Sequence, residues 1–580
     1  MLAPLTPFMS AKWRGFYLNV LRPQRDGVYA HLAKSDWDHG HVKTRVLINF
    51  GKVDEDQIRA LRVWIAANPA LRGNPAIILS STGALHCKRS WAYGREALAH
   101  FLWWKLGLHQ IVIEALNAVP GKAQVERWVE TMVINRLSDP ASKHGILEWL
   151  NHSATPSLLG FGDVPRYDNA LYRAMDLLRA RQDTLEARVY ERVVGPLTPN
   201  PGALYHDLTS TYCEGRDDDF ITFGYPQDRV EGAPQVNWGM IVTPEGLPIT
   251  VQVYPGNTKD ETTVTGMRER LEKVFGLHGG IYVGDRGMRT KDNLKDLVRH
   301  GFHYVLAEKN STKVAQEALT LAQQVKPVKV SESNVAREVV TTDGVRHVVL
   351  LNERRRQSEL EVLKERQEEG KVILTRWRKH AGKMHHHEIL KGAQSELRKA
   401  GLQALFDLGF DEDSFQGLTS EWKDKDRRTE EWAGWWVLAT DTELSVEEVT
   451  RLYQGLAIIE RGWKEIKSVL EVRPLHHRLR RRIESHLVIC SLAFLLERYV
   501  ELKVREAKLE QEGRPLTGPA AVKQFENLVV NRQEIAGTGV RFNQFTELDA
   551  RQAAIVRAVG LKPEQFAKGW TGLDPAEIEG

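Results

Sequence analysis

Cysteine is nearly absent from this chain: three residues in 580, Cys87, Cys213 and Cys490, far apart and without a C-x-x-C pair. The sequence therefore predicts no disulfide framework, and a reducing compartment is the simple interpretation. Long hydrophobic runs are also missing. The longest, LVICSLAFLL at 487–496, is about half of the roughly 20 residues that a membrane-spanning helix needs. We expect a buried helix there, no membrane partner, and, without a signal-peptide pattern, a cytoplasmic protein.

The sequence also lacks a strong excess of either charge. Its 80 basic and 76 acidic side chains leave a formal net charge of +4, which is too small to indicate nucleic-acid binding by itself. Any argument for such binding has to rest on local clusters. With 42% hydrophobic and 27% charged residues, the composition is that of an ordinary globular protein with room for several domains.

The pattern of apolar residues predicts six regions. Residues 1–92 contain a small β-meander at 16–50, and residues 93–200 have the three- and four-residue spacing of helices. Residues 201–310 contain elements in the order β-β-β-α-β-α-β, which predicts an α/β fold with one mixed sheet covered by helices. Residues 311–431 interrupt this pattern with a predicted hairpin at Asp343-Gly344. The sheet pattern resumes over 432–500, and residues 501–580 are predicted to be helical.

Two aspartates are candidates for chemistry. Asp285 follows the apolar run GIYVG, and Asp207 lies within the predicted strand 203–215. If the two strands are neighbours, the carboxylates approach each other and raise one another's pKa unless a cation lies between them. Because no Cys/His ligand spacing is nearby, a hard cation such as Mg²⁺ is the natural choice. The alternative is that Asp285 caps a turn and Asp207 is a solvated strand residue.

A third acid comes from a predicted helix near residue 445. Ser445 and Glu448 form the pattern of a capping box, which predicts that the helix begins at Ser445. Five residues at three- and four-residue spacing share one face of this helix: Tyr453, Leu456, Glu460, Trp463 and Lys467. Glu460 then interrupts a stripe that should be buried, which calls for a metal or a cationic partner. An arginine or lysine near the sheet is the alternative to a metal, and Glu465 and Glu471 are expected to be surface acids.

Several stretches in this order resemble the DDE transposases of bacterial insertion sequences, in the IS-four-like branch with a β-rich insertion before the last catalytic acid. LYHDLTSTYCEG and IYVGDRGM resemble the segments that carry the first two aspartates. The segment between them, with PGNTKD, is also similar to the family. YQGLAIIERGWKEIKSVLEVRPLHH is similar to the family's tyrosine–arginine–glutamate–lysine signature.

The resemblance implies an RNase H-like mixed-sheet catalytic core interrupted by a β-rich insertion, with a mainly helical N-terminal region that binds DNA and a helical C-terminal tail. It implies that Asp207, Asp285 and Glu460 hold two Mg²⁺ ions, with Mn²⁺ as a substitute. Such an enzyme binds insertion-sequence ends, cleaves DNA and joins the 3′-OH ends to target DNA. It acts as a homodimer in a synaptic complex, in the bacterial cytoplasm and near the nucleoid.

The sequence leaves two alternatives to this function. One is a metal-dependent nuclease on the same core that cuts without rejoining, since both reactions need the same three acids. The other is an inactive DNA-binding remnant of a transposase. Retention of all three acids argues against the remnant but does not separate hydrolysis from strand transfer.

DNA contacts are expected from residues around the acids. Tyr453 and Lys467 match the signature's tyrosine and lysine, which the resemblance places on phosphates, whereas Leu456 stands where the signature has arginine. That difference puts in doubt any phosphate contact credited to the arginine. Basic residues cluster after the Glu460 helix and beside Asp285, and we expect them to bind DNA: Arg286, Arg473, His476, His477, Arg478, Arg480, Arg481 and Arg482. A solvated helix start is the alternative for the cluster at 473–482.

Overall fold

The computed structural model describes most of the chain. The described residues are 16–21, 28–38, 41–67, 85–161, 164, 167–198, 202–214, 219–224, 232–380, 383–403, 405–410, 418–422, 430–535 and 540–568. The chain divides into two compact units. One is Val194–Trp463, and the other combines Met1–Val193 with Lys464–Gly580.

The first segment begins with the predicted meander. Strands β1 (Phe16–Leu21), β2 (Tyr29–Asp38) and β3 (His41–Lys52) form an antiparallel sheet in that order, and the helix Glu55–Ala67 follows. The meander is therefore confirmed. Strand β4 (Leu85–Ala92) precedes a helical stretch.

Helices fill most of the described chain between 94 and 197, as their apolar spacing predicts. They are Gly94–Lys105, Leu108–Leu116, Lys122–Ser138, Lys143–His152, Thr155–Leu158, Asn169–Arg179, Gln182–Val189, the π-helical turn Tyr190–Val194, and Gly195–Leu197. Two of these helices are separated at SDPAS, residues 138–142. One helix ends at Ser138, and the Ser142 hydroxyl caps the next by accepting from the Gly145 N–H at 3.0 Å.

A nine-stranded mixed sheet forms the centre of the second unit. Its strands are β5 (Ala203–Tyr212), β6 (Gln235–Val242), β7 (Pro248–Pro255), β8 (Gly280–Gly284), β9 (Phe302–Ala307), β10 (Val328–Lys329), β11 (Asn334–Val340), β12 (Arg346–Asn352) and β15 (Trp435–Thr440). Strands β13 (Phe406–Phe410) and β14 (Leu418–Trp422) form a separate short hairpin between β12 and β15 in the chain. The sheet order is β10-β11-β12-β15-β9-β8-β5-β6-β7. Only the β5–β8 and β8–β9 pairs are parallel among its described pairings. The predicted mixed α/β sheet is confirmed.

Two turns that contain glycine join neighbouring strands of this sheet. Between β6 and β7, Gly246 has a φ of 81°, which favours glycine, and the Thr243 N–H donates to the Leu247 carbonyl at 3.0 Å. Gly344, with a φ of 79°, turns β11 into β12 at the predicted Asp343-Gly344 position.

Helices of this unit follow or precede the strands. They are the 3₁₀ turn Asp260–Thr262 and the helices Val264–Phe275, Lys291–Arg299, Lys313–Ala322, Glu353–Arg378, His386–Lys399, Val446–Gln454 and Ala457–Ser468, the last of which continues past the boundary of the unit at Trp463.

The content of 311–431 differs from the prediction of a β-rich insertion. Strands β10 to β12 extend the large sheet, but the longest elements are the helices Glu353–Arg378 and His386–Lys399. These two helices pack through a small apolar cluster that includes Leu374, Ile389 and Phe406. Their surfaces are otherwise so polar that the apolar spacing is weak, which is why the sequence pattern did not indicate helix.

The C-terminal segment contains the predicted buried helix around 487–496, within the 27-residue helix Arg480–Glu506. Among the described residues, no helix is both long and apolar enough to span a membrane.

The rest of the C-terminal segment is mixed, so the prediction of a helical tail is wrong. Its strands are β16 (Glu510–Gln511), β17 (Arg514–Pro515), β18 (Val529–Ile535) and β19 (Arg541–Phe545), and its helices are Gly518–Lys523, Ala550–Ala558 and Pro563–Lys568. Strand β18 lies between β19 and β4 of the same unit. Because β4 is more than 400 residues away along the chain, no local pattern indicated this pairing.

Candidate active site

The first two acids occupy adjacent positions on neighbouring parallel strands. His206 of β5 is in register with Gly284 of β8. Asp207 and Asp285 are each the next residue along the chain. Parallel strands are about 4.8 Å apart, so the carboxylates are close neighbours, as the sequence analysis expected if these strands pair.

Small residues make room for the backbone around both acids. A Cβ added to Gly284 would lie 2.7 Å from Met288 Sδ and 3.0 Å from Leu306 Cδ2. On the other side of β5, a Cβ on Gly239 would lie 3.0 Å from His206 Nε2. A side chain at 284 would therefore displace the ends of the Met288 and Leu306 side chains.

His206 supports Asp207 from the buried side of β5. It is fully buried, and its Nδ1 forms a hydrogen bond with the Tyr282 hydroxyl of β8 at 2.5 Å. Burial lowers the pKa of His206 to about 3, so the imidazole is neutral. A neutral histidine adds no charge beneath the two acids.

Two N–H groups fix the Asp207 carboxylate. Oδ1 accepts from the backbone N–H of Leu208 at 2.8 Å, and Oδ2 accepts from the indole N–H of Trp463 at 2.9 Å. Trp463 packs edge-on against Trp238 of β6, with ring centroids 4.6 Å apart. The helix that carries Glu460 is thereby anchored to the strand that carries Asp207.

The three acids interact electrostatically. Burial raises the pKa of Asp207 to about 7, the hydrogen bonds from Trp463 and Leu208 oppose this rise, and the charges of Asp285 and Glu460 add to it. Glu460 is therefore close enough to Asp207 for its charge to act there. The structure brings the three predicted acids into one site within the unit 194–463.

Glu460 reaches this site differently from the prediction. The capping box at Ser445 is confirmed, but the helix ends at Gln454 and a new one begins at Ala457. In the second helix Ile459 is buried and Glu460 is exposed. The buried stripe thus runs through Ile459, so Glu460 does not interrupt it and pays no large desolvation cost.

Tyr453 lies among the acids and two cations. Burial and the charges of Asp285 and Glu460 raise its pKa, while Arg286 and Arg355 lower it. Arg286 is exposed. The sequence analysis missed Arg355, in the first turn of the helix Glu353–Arg378. Its guanidinium lies 4.8 Å from the ring centroid of Trp436, and no sequence motif indicated that contact.

The remaining predicted DNA contacts belong to the other unit. Lys467 is half-buried two turns after Glu460, Arg473 and His477 are half-buried, and His476 and Arg478 are exposed. Arg481 and Arg482 both bind Asp176, at 2.9 and 3.3 Å.

Two more contacts tie this basic stretch to its own unit. Arg480 binds Glu484 at 3.0 Å, and Arg482 lies 4.4 Å from the ring centroid of Tyr172. Part of the stretch is thus engaged within the protein.

The sequence predicted that Glu465 and Glu471 are surface acids, and this holds for one of the two. Glu471 is exposed, but Glu465 is buried, with Oε2 4.0 Å from Arg498 NH1, and both of these residues belong to the same unit. The prediction of a surface position for Glu465 is wrong, because its cationic partner comes from a distant helix.

The donor set suits a hard divalent cation. Asp207, Asp285 and Glu460 offer only carboxylate oxygens, which Mg²⁺ prefers. Their mutual repulsion is what a cation would relieve. As the side chains stand, however, no three Asp, Glu, His or Cys residues in the described part of the chain are grouped closely enough to hold one ion. The three acids therefore suit such a cation by the chemistry of their oxygens alone.

Two comparisons with known proteins find a similarity. Residues 217–496, just under half of the chain, match the family model described as "Transposase DDE domain". The match includes Asp285 and Glu460, whereas Asp207 precedes its first residue. The chain is also similar to piggyBac transposase in a cryo-EM structure of its synaptic complex with hairpin DNA. The TM-score is 0.35 and the identity 9%, over 74% of this chain and 79% of that chain. No curated protein sequence matches significantly.

Proposed function

We propose that this chain is a DDE transposase that binds the ends of an insertion sequence, cleaves DNA and joins the freed 3′-OH ends to target DNA. One observation carries the proposal. Asp207 lies on β5 beside the end of the parallel strand β8, and Asp285 is the residue that follows β8. Glu460 acts on Asp207 from a helix anchored to β5. The similarity of residues 217–496 to a transposase domain supports it.

The three carboxylates would hold divalent metal, with two Mg²⁺ ions as the expected set. Such ions activate the attacking water or 3′-OH and stabilise the leaving oxygen in an in-line displacement. Asp207 retains free lone pairs after its two hydrogen bonds, because a carboxylate has about four acceptor sites. The Trp463 indole would hold the Asp207 carboxylate in one orientation. A fixed carboxylate would in turn help to align the attacking group with the phosphodiester.

Tyr453, Arg286 and Arg355 would bind the DNA backbone beside the acids. Both guanidinium groups and the carboxylates of Asp285 and Glu460 lie close enough to the Tyr453 phenol for their charges to act on its pKa. Arginine binds phosphate oxygens through paired N–H donors. These contacts would place a phosphodiester next to the three acids and offset the repulsion between phosphate and carboxylates.

Finer features of the proposal follow the family resemblance. We assign an RNase H-like core to β5–β9, interrupted after β9 by the segment 311–431, and the IS-four-like branch. The continuation of the sheet from β9 into β15 supports an insertion between them. Lys467 and part of the cluster at 473–482, including Arg478, would contact the transposon end, and a homodimer would bridge two ends.

The test is a joining reaction with DNA from both flanks of the gene, where inverted repeats would define the ends. The full chain is incubated with a labelled linear end, a plasmid target and Mg²⁺. A transposase gives plasmid-joined products. Cleavage without joining would instead identify a nuclease, and binding alone a remnant.

The first prediction concerns the variant Asp285→Asn, which should lose catalysis but still bind DNA. Loss of one of three metal-binding carboxylates should abolish cleavage and joining, while binding to the end, measured by gel shift, stays within about twofold. Asp292→Asn, in the following helix, is the matched control and should retain activity. If Asp285→Asn cuts at the normal rate, the assignment of the triad is wrong.

A further inference from the structure

The loop that follows Asp285 is held by hydrogen bonds and packing. The Met288 N–H donates to the Asp285 carbonyl at 3.0 Å, which closes a four-residue turn. The Met288 side chain is buried, and the Met288 carbonyl accepts from the side-chain amide of Asn293 at 2.7 Å. Arg289 is the next residue after this turn, so a contact that fixes Arg289 also acts on the turn that carries Asp285.

Arg289 faces the inside of the protein, in contrast to Arg286 of the same loop. Arg286 is exposed, whereas the side chain of Arg289 is only 9% exposed. The Arg289 guanidinium contacts the carboxylate of Glu308, whose side chain is 1% exposed. A buried guanidinium that is paired with a carboxylate is not presented to a phosphate, so the function of Arg289 lies within the protein.

Glu308 lies at the edge of the sheet where Asp285 also lies. Strands β8 and β9 are parallel, and Gly284 is in register with Leu306. Asp285 is the residue after β8, and Glu308 is the residue after β9. The Glu308 N–H donates to the Val437 carbonyl of β15 at 2.8 Å. The Arg289–Glu308 pair therefore joins the Asp285 loop to a hydrogen-bonded part of the sheet.

The hairpin of β11 and β12 lies against this pair. His347 of β12 is fully buried, and its Nε2 is 3.8 Å from Glu308 Oε1. Asp343 Oδ2, in the turn of the hairpin, is 4.0 Å from Arg289 NH2. Burial raises the pKa of Asp343, but local hydrogen bonds and then the charges of His347 and Arg289 bring it below its ordinary value. The segment 311–431 thus reaches the Asp285 loop through Arg289 and Glu308.

We propose that Arg289 is a positioning residue for Asp285, and that its pair with Glu308 fixes the Asp285 loop relative to the sheet. The inference rests on the proposed function, because the position of the loop matters for catalysis only if Asp285 acts there. The planar guanidinium of arginine fixes direction as well as charge. A displacement of about 1 Å in a site can cost about 100-fold in rate, so an anchor beside a catalytic acid affects the rate of reaction.

Removal of the whole pair separates positioning from stability. Arg289→Met or Glu308→Leu alone leaves a buried charge without its partner and should lower the melting temperature. The double variant has no such unpaired charge, and replacement of a buried ion pair by apolar side chains is often neutral for stability. We expect the double variant to regain most of the melting temperature. Its rate of single-turnover cleavage, at saturating protein with Mg²⁺, should stay about tenfold or more below that of the unmodified chain.

Arg268→Met is the matched control. Arg268 is a buried arginine of the same unit, with a side chain that is 4% exposed, and its guanidinium binds Glu272 at 2.6 Å and Asp296 at 3.0 Å. This variant should also lower the melting temperature, because it leaves buried charge unpaired. Below its melting temperature it should cleave within about twofold of the normal rate. Gel shifts should show that every variant binds the end with nearly normal affinity.

Three results would overturn the inference. If the double variant regains both the melting temperature and the cleavage rate, the pair serves stability alone and the proposed function stands. If the double variant stays destabilised and loses no more rate than Arg268→Met at equal stability, the rate follows stability and Arg289 positions nothing. If the unmodified chain does not cleave the end, the proposed function fails and the inference fails with it.

Discussion

At the scale of single residues, the position of Asp207 depends on Trp463. One carboxylate oxygen is held by the chain's own Leu208 N–H, and the other by an indole from the helix that also carries Glu460. A hydrogen bond to a charged group contributes about 1.5–3 kcal/mol. The sequence placed Trp463 on a buried face, but it could not indicate that the indole N–H binds Asp207, because that partner is 256 residues away.

Trp463→Phe keeps an aromatic ring and removes this hydrogen bond. We expect the rate of single-turnover cleavage to fall about tenfold or more, since an increase of about 1.4 kcal/mol in the activation free energy lowers a rate tenfold. Rapid-quench measurement of the cleaved end, at saturating protein, gives the rate.

Trp238→Phe is the control for Trp463→Phe. Trp238 is the other member of the edge-on pair, and its indole donates to Thr211 Oγ1 at 3.0 Å, away from the acids. It should lower the melting temperature and leave the cleavage rate within about twofold. Equal loss of rate in both variants would mean that the Trp463 effect comes from stability and not from orientation of Asp207.

At the scale of elements, the helix break at Gly455 sets the position of the third acid. The helix Val446–Gln454 ends there, and Gly455 lies against Tyr205 of β5, where an added Cβ would be 2.2 Å from the phenol oxygen. The close approach of helix and strand requires glycine. Within the second helix the buried apolar side chains are Ile459, Trp463 and Ile466, and Glu460 lies beside this stripe.

Gly455→Ala should therefore destabilise the unit 194–463 by about 1–3 kcal/mol, the usual cost of overpacking. Urea unfolding followed by tryptophan fluorescence measures the change. Gly266→Ala is the matched control, because Gly266 lies in the helix Val264–Phe275 with nothing within 4 Å of an added Cβ. It should stabilise by about 0.5–1 kcal/mol. If both changes have the same sign, the packing argument for Gly455 is wrong.

Local signals predicted much of the sheet, and long-range packing explains what was missed. Strands β5 to β9, the turn at Gly246 and the cap at Ser445 follow from alternation, turn residues and side-chain hydrogen bonds within a few positions. The helix Glu353–Arg378 was missed because only Leu363, Gly370, Ile373 and Leu374 are buried in it. The order of strands and the burial of Glu465 depend on partners far along the chain.

At the scale of the whole molecule, the numbers of basic and acidic side chains are almost equal. DNA binding should therefore depend on those basic side chains that are not paired with a carboxylate of the protein itself. Arg480, Arg481 and Arg482 bind carboxylates of their own unit. Arg478 is exposed and, in the described part of the chain, has no hydrogen bond or ion pair. Only some arginines of the cluster are thus available to replace the counterions of a phosphate backbone.

Arg478→Ala should accordingly change the salt dependence of DNA binding, because each phosphate contact contributes about 0.9 to the slope of log K against log salt. We expect the slope to fall by about one and affinity to drop for specific and random DNA alike. Arg481→Ala, whose guanidinium binds Asp176, is the matched control and should leave the slope unchanged. Fluorescence anisotropy between about 50 and 200 mM salt measures both. An unchanged slope for Arg478→Ala, or an equal fall for Arg481→Ala, would show that exposure within this cluster does not decide which residues bind DNA.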